Sequence, residues 1–382
     1  MSFWSLWLQK EIGASITIIG LLAMVQNAQQ LIFALPGGII ADKFGRKNLI
    51  LFGTSMMMIP PIIYLLATRW EHVLIAVMFG AVSNLYMPAF DAMVADSVPA
   101  QQRGVGYGVY RMVTSLPALF MPVVGGVVID ALGFGPAVRM FNILTIFLVI
   151  AALILRAKYL TETLDRKSRG ERKSVQETLT SALQINRTIW VMVVVAVIGG
   201  FSFRMVVQLI PIYAQDRLLF TNTEIGVAQT VSSLVSSLLI LPIGMLADRI
   251  GRKPLITMAQ AMQPLTTWAI VLVGVGNFPQ YLAIRMISGI GSALGGAFYG
   301  FAGGPAWQAL LGDLIPREKR GTINGLVSTI TGTIGTPSSM LGSYIWSGYS
   351  PEAAFHVALL IGLVSFPIFA LFVKEPKKGE KF

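Results

Sequence analysis

The chain has 382 residues, 54% hydrophobic and only 12% charged, with a mean hydropathy of +0.70. A soluble domain carries roughly 25% charged residues, so too few are present to cover a water-facing surface of this size, which argues against a soluble enzyme, a disordered chain and a nucleic-acid-binding module. The net charge of +11 needs another cause; the lack of Cys excludes disulfides and thiolate sites, and His72 and His356 are too far apart in sequence to suggest a metal cluster.

A membrane-crossing helix needs about 20 mostly apolar residues. In chain order such runs occupy 16–40, 48–68, 73–95, 105–129, 140–157, 189–214, 225–246, 254–275, 281–311, 322–346 and 354–373, which makes eleven candidate spans. Soluble helices show a polar face, and these mostly do not. The first run holds the amides Gln26, Asn27, Gln29 and Gln30; Gln26 and Gln30 share a face and either line a cavity or glue helices together, and Asn84 in the third run is a further wall candidate. In the second run, Met56-Met57-Met58 and Pro60-Pro61 read as lipid-facing bulk and a kink.

Charges inside spans are costly against lipid and should face the bundle interior or water. Asp91 and Arg111 lie at depths where neighbouring helices would let them pair, as a proton or substrate site or as a structural ion pair. Arg204 lies mid-span with Gln208 one turn on, a candidate contact for an anion or polar substrate, while Arg285 lies near a predicted outer end, where it either snorkels or meets substrate. The series Gly291, Gly295, Gly296, Gly300 and Gly304 predicts either a bendable, gating helix or close helix packing.

If the segment after the first full span faces the cytoplasm and sides alternate, inward segments hold 22 Lys and Arg and outward ones hold 4. That asymmetry predicts a multi-pass cell-membrane protein with a cytoplasmic C-terminus, and it accounts for the positive charge. Trp70 and Trp346 fall at predicted outer ends and Trp190 at an inner end, as interfacial anchors.

Two blocks recur in order. Gly38-Ile-Ile-Ala-Asp42-Lys-Phe-Gly45-Arg46-Lys47 returns as Gly244-Met-Leu-Ala-Asp248-Arg-Ile-Gly251-Arg252-Lys253, 206 positions on. Pro88-Ala-Phe-Asp91, Asp96, Pro99 and Arg103-Gly104 return as Pro305-Ala-Trp-Gln308, Asp313, Pro316 and Arg320-Gly321, 217 positions on. The chain therefore reads as two similar halves, 1–157 and 188–382, joined by a basic cytoplasmic linker at 158–187. By this alignment the span at 189–214 lacks a full partner. Only Met1 to Leu8 match its end, with Trp4 and Trp7 as outer anchors, so a first helix is expected to be largely missing or the start misassigned.

These blocks resemble the major facilitator superfamily of secondary transporters over nearly the whole chain. The most specific element is the loop G-x-x-x-D-x-x-G-R-K, present twice. The resemblance implies an all-α polytopic membrane protein of two pseudo-symmetric six-helix bundles around a central cavity, here with eleven complete helices. It implies that Asp42 meets the start of the eleventh helix, that Arg46 reaches Asp96, and that by repeat Asp248 faces the fifth helix and Arg252 faces Asp313. These contacts, with Gly38, Gly45, Lys47, Gly244, Gly251 and Lys253, would form a cytoplasmic gate that biases the outward-open state by about 1–3 kcal/mol. The alternative is that the charges only set topology. A second family pattern, Arg four residues before Gly, is absent from the first half (Ala76, Gly80) and present in the second (Arg285, Gly289). A glycine-proline series typical of drug–proton antiporters is met by Gly108, Pro122, Gly125 and Gly126, with Pro117 and Met121 replacing two glycines.

No hydrolase elbow, zinc-protease helix or P-loop occurs, so an enzyme or a self-contained ATP-driven pump is not expected, and no cofactor is called for. The leading expectation is a secondary transporter that exports amphiphilic compounds by alternating access, coupled to protons or another ion and working as a monomer in the bilayer. The alternatives are uptake of a nutrient or organic anion by symport, and a non-transporting membrane receptor or sensor.

Overall fold

The computed structural model describes residues 3–29, 45–87, 89–90, 93–94, 103–162, 187–296, 304–315, 320–373 and 375. Among them regular structure is helical and no strand occurs. The chain divides into two compact units, Met1–Glu171 and Arg172–Phe382.

The first unit begins with α1 (Trp4–Lys10) and α2 (Ile16–Gln29). Leu6, Trp7 and Leu8 are buried, and Trp7 meets Tyr64 edge-on at 5.6 Å, so this tryptophan packs inside the unit instead of marking an interface. Helices α3 (Arg46–Met56) and α4 (Ile59–Leu66) make one apolar stretch of 21 residues. It breaks before Pro60-Pro61, which lack N–H groups and are tolerated only at the start of a new helix. Helix α5 (Trp70–Ser83) tightens into a 3-10 turn over Asn84–Tyr86. Two long helices, α6 (Arg103–Leu132) and α7 (Phe134–Tyr159), complete the unit, with α7 packed on α3, α4 and α6.

The second unit runs α8 (Arg187–Val206), α9 (Ile210–Asp216), α10 (Asn222–Ile250), α11 (Arg252–Ala269), α12 (Phe278–Leu294), α13 (Pro305–Leu314), α14 (Arg320–Gly335), α15 (Ser338–Gly348) and α16 (Pro351–Phe372). Local sequence sets several starts. Thr221 and Glu224 form a reciprocal capping box on α10, and the side chains of Asn277 and Ser350 accept backbone N–H groups of α12 and α16. The apolar core gathers α8, α13, α14 and α16 around the fully buried Trp307, whose ring lies 5.9 Å from Phe369.

The repeat is geometric as well as textual. Helices α1, α2 and α3 begin at Trp4, Ile16 and Arg46, and α9, α10 and α11 begin 206 positions later at Ile210, Asn222 and Arg252.

Seven helical stretches in the described residues are long and apolar enough to cross a membrane, among them Phe134–Tyr159, Asn222–Ile250 and Pro351–Phe372. Their outer faces are oily: Phe147 is 74% exposed, Leu241 77% and Leu371 73%. An exterior of this kind is stable in lipid and not in water, so this is a multi-pass membrane protein.

Three of the expected continuous runs are interrupted. The run at 189–214 unwinds at 207–209, where Pro211 opens α9, and the run at 322–346 is divided at Thr336-Pro337. The run at 281–311 is two helices, α12 and α13. At the break Gly295 and Gly304 lie backbone against backbone, so close that a side chain on Gly304 would overlap Gly295. The surplus of the second half sits between them.

Candidate functional site

Helix α10 ends at Ile250, and Gly251 reverses the chain with φ +93 and ψ 162 before α11 begins. Only glycine adopts that conformation without strain. A helix start exposes N–H groups that intrahelical bonding leaves unpaired and carries partial positive charge. Glu375, just past the end of α16, meets that need: its carboxylate accepts the Arg252 N–H at 2.7 Å and the Lys253 N–H at 3.1 Å. The Arg252 side chain runs to α13, where it is ion-paired with Asp313 and donates to the Ala309 carbonyl at 3.4 Å. The turn is thus tied to the chain end after the last helix and to the inner half of the broken helix.

The first unit repeats the arrangement. Gly45 has φ +91, and Glu162, just past α7, accepts the Arg46 N–H at 3.2 Å and the Lys47 N–H at 3.0 Å. Both carboxylates press on their glycine: a Cβ on Gly45 or Gly251 would stand 2.7 or 2.8 Å from one of their oxygens. Sequence reasoning missed Glu162 and Glu375. A usable signal existed, since each stands three residues beyond the final helix of its half, in Tyr159-Leu-Thr-Glu162 and Phe372-Val-Lys-Glu375.

Gly38, Asp42, Asp96, Gln30 and Asp91 lie outside the described residues, as does the Arg111 side chain, although its backbone belongs to α6. The expected Asp42, Arg46–Asp96 and Asp91–Arg111 contacts fall there too. The close-approach role read into the first glycine of the loop does not extend to Gly244, which has nothing within 4 Å of where a Cβ would sit.

Arg204 and Gln208 do share a face, and it turns toward their own unit. Arg204 donates to the Thr331 carbonyl on α14 at 3.3 Å, and Gln208 donates to the Ser339 carbonyl on α15 at 3.2 Å. Both serve the α14–α15 break, with Gly335 directly against the guanidinium. Arg285 donates to Gln229 on α10, beside the fully buried Tyr281. The first-unit amides separate: Gln29 is buried and donates to the Val77 carbonyl at 2.6 Å, Gln26 is half-buried on α2, and Asn84 is exposed at the 3-10 turn.

Two further polar contacts were not expected. Arg156 near the end of α7 donates to the Thr54 hydroxyl at 2.5 Å, with its guanidinium 5.3 Å from the Tyr86 ring centre and 5.0 Å from that of Phe90. Gln263 on α11 donates to the Ser288 carbonyl at 3.2 Å and the Ser292 hydroxyl at 2.7 Å, joining α11 to α12.

A family model described as Major Facilitator Superfamily matches residues 1–222 and again 218–382. "Multidrug resistance protein 2" of Bacillus subtilis (strain 168) is 24% identical over 244 residues, covering 62% of this chain and 60% of that protein. "Quinolone resistance protein NorA" of Staphylococcus aureus is 21% identical over 231 residues, covering 60% and 58%. The chain thus spans about three fifths of the length of these relatives. Among solved structures, that of the nucleoside transporter NupG superimposes with a TM-score of 0.74 at 13% identity, covering 97% of this chain and 96% of that one, a likeness of fold.

Proposed function

This chain belongs to the Major Facilitator Superfamily, and on that premise we propose that it is a secondary transporter that moves a small molecule across the membrane by alternating access. The observation that carries the reading is the duplicated clasp: a glycine turn, a helix start and a carboxylate from beyond the last helix, built the same way in each unit. A transporter that works by rocking one bundle against the other needs its loop ends held in one defined geometry in each bundle. Gly45 with Glu162, and Gly251 with Glu375, supply that. The Arg252–Asp313 pair is exposed enough to break and re-form during a cycle, because a partly solvated ion pair is worth only about 0.2–1 kcal/mol.

Within transport, we read export of amphiphilic compounds coupled to protons. Its support is the naming of two relatives for multidrug and quinolone resistance, together with an interior polar chiefly through amides and hydroxyls, such as Gln260, Gln263, Thr266 and Ser288. The test is reconstitution of the full chain in proteoliposomes with an imposed proton gradient and ethidium as probe. Gradient-dependent ethidium movement, lost on collapsing the gradient, is the expected result. Flux indifferent to the gradient would discard the coupling, and no flux of any solute offered would discard transport. Uptake of an organic anion is the second reading, favoured because Arg204 and Arg285 make hydrogen bonds to neutral acceptors inside membrane-length segments.

A further inference from the structure

Arg285 is a cation that its surroundings leave uncompensated. It lies in the middle of α12, and its Nη2 donates to the amide oxygen of Gln229 on α10. Its Nε is buried and has no hydrogen-bond partner, and no carboxylate among the described residues pairs with it. Simple snorkelling does not describe this geometry. A snorkelling arginine sends its head to water, whereas this head is turned toward α10, with Nε shut off from solvent. One turn earlier Tyr281 is fully buried; one turn later Gly289 is packed so tightly on α10 that a Cβ would meet the Ser232 carbonyl. The seam is dry on both sides of the charge.

An unneutralised guanidinium in such a place is expensive, and removing an anionic partner from a buried charge is more costly than never having burned the position on a charge at all. A neutral amide steadies one arm of the fork without cancelling the charge. The free N–H on the same rigid plane suits an acceptor with two oxygens, because guanidinium and carboxylate match edge to edge. We propose that Arg285, held in place by Gln229, binds a carboxylate carried by the transported solute, so that the substrates are amphiphiles bearing an anionic oxygen pair. This deepens the transport reading and rests on it.

The test uses the full chain in nanodiscs, with benzoate, benzamide and sodium chloride as probes and the shift of the thermal midpoint as readout. Benzoate is expected to stabilise the chain, and benzamide and chloride at equal ionic strength are not. Arg285→Gln should weaken benzoate binding about tenfold or more, and Arg285→Lys should keep part of it, since the charge remains while the planar fork is lost. If Arg285→Gln does not fold, Gln229→Leu carries the test: benzoate should weaken several-fold. Equal stabilisation by benzamide or chloride, or unchanged benzoate affinity in the folded variant, overturns the proposal. Ethidium flux separates the two readings: flux without benzoate selectivity removes only this inference, and benzoate binding without flux of any solute supports the site while removing transport.

Discussion

Arg252 and Asp313 are ion-paired between the first turn of α11 and the last turn of α13. At the same residue the backbone N–H is held by Glu375. One position is therefore fastened twice, by its side chain to the broken helix and by its main chain to the segment after α16. The two fastenings differ in physics. The Arg252 side chain is 24% exposed and that of Asp313 is 48%, so water and salt screen the pair, whereas the carboxylate cap meets fixed N–H groups at a helix start.

Breaking the ion pair should therefore be mild for stability. Arg252→Ala and Asp313→Asn should each lower unfolding free energy by less than about 1 kcal/mol, with a double-mutant coupling of the same small size. The effect should shrink in high salt. Thermal unfolding at low and high ionic strength checks this, and a coupling several-fold larger would mean that the pair is dry.

Removing the carboxylate caps should cost more and act locally. Glu375→Gln and Glu162→Gln should each destabilise by about 0.5–2 kcal/mol, the range of a lost helix cap. Hydrogen exchange should quicken at the Arg252 and Lys253 amides in the first variant and at Arg46 and Lys47 in the second. Faster exchange in the opposite unit would contradict the assignment of each cap to its own half.

The two loop glycines contrast with a third. Gly45→Ala and Gly251→Ala should each cost about 1–3 kcal/mol, because the backbone is held where a Cβ is strained and the Glu carboxylate fills the space. Gly244→Ala should be neutral or slightly stabilising, since its site is open and helical. Equal effects of all three in a thermal melt would remove the turn geometry as the reason for glycine.

Gly342 on α15 stands directly over the backbone of Met205 on α8. Gly342→Ala cannot be absorbed by turning a side chain and should cost at least about 1–3 kcal/mol or prevent folding. Gly348→Ala, six residues on with nothing near its Cβ direction, should behave as wild type. Folded yield and melting temperature of the pair check this.

Much of the fold was legible in the sequence because lipid imposes a simple rule on it. Runs such as 140–157 and 354–373 must be apolar and about one bilayer long, and both are helices here, within Phe134–Tyr159 and Pro351–Phe372. The repeat was legible for a similar reason: a turn that only glycine tolerates, followed by basic residues, leaves the same letters at Gly45 and Gly251. The break in the run at 281–311 was not, since a glycine-rich apolar stretch reads alike whether it bends, packs or splits.

Composition and periodicity determined by themselves that this is a doubled, helical, membrane-embedded chain, because burial in lipid acts on each residue according to its own chemistry. Only the tertiary structure decided which polar groups meet. Glu375 finds the Arg252 N–H across 123 positions, Arg204 gives its hydrogen bond to the Thr331 carbonyl across 127, and Arg285 takes an amide for a partner instead of an acid. Those pairings depend on how helices cross and where chain ends return, which no local pattern encodes.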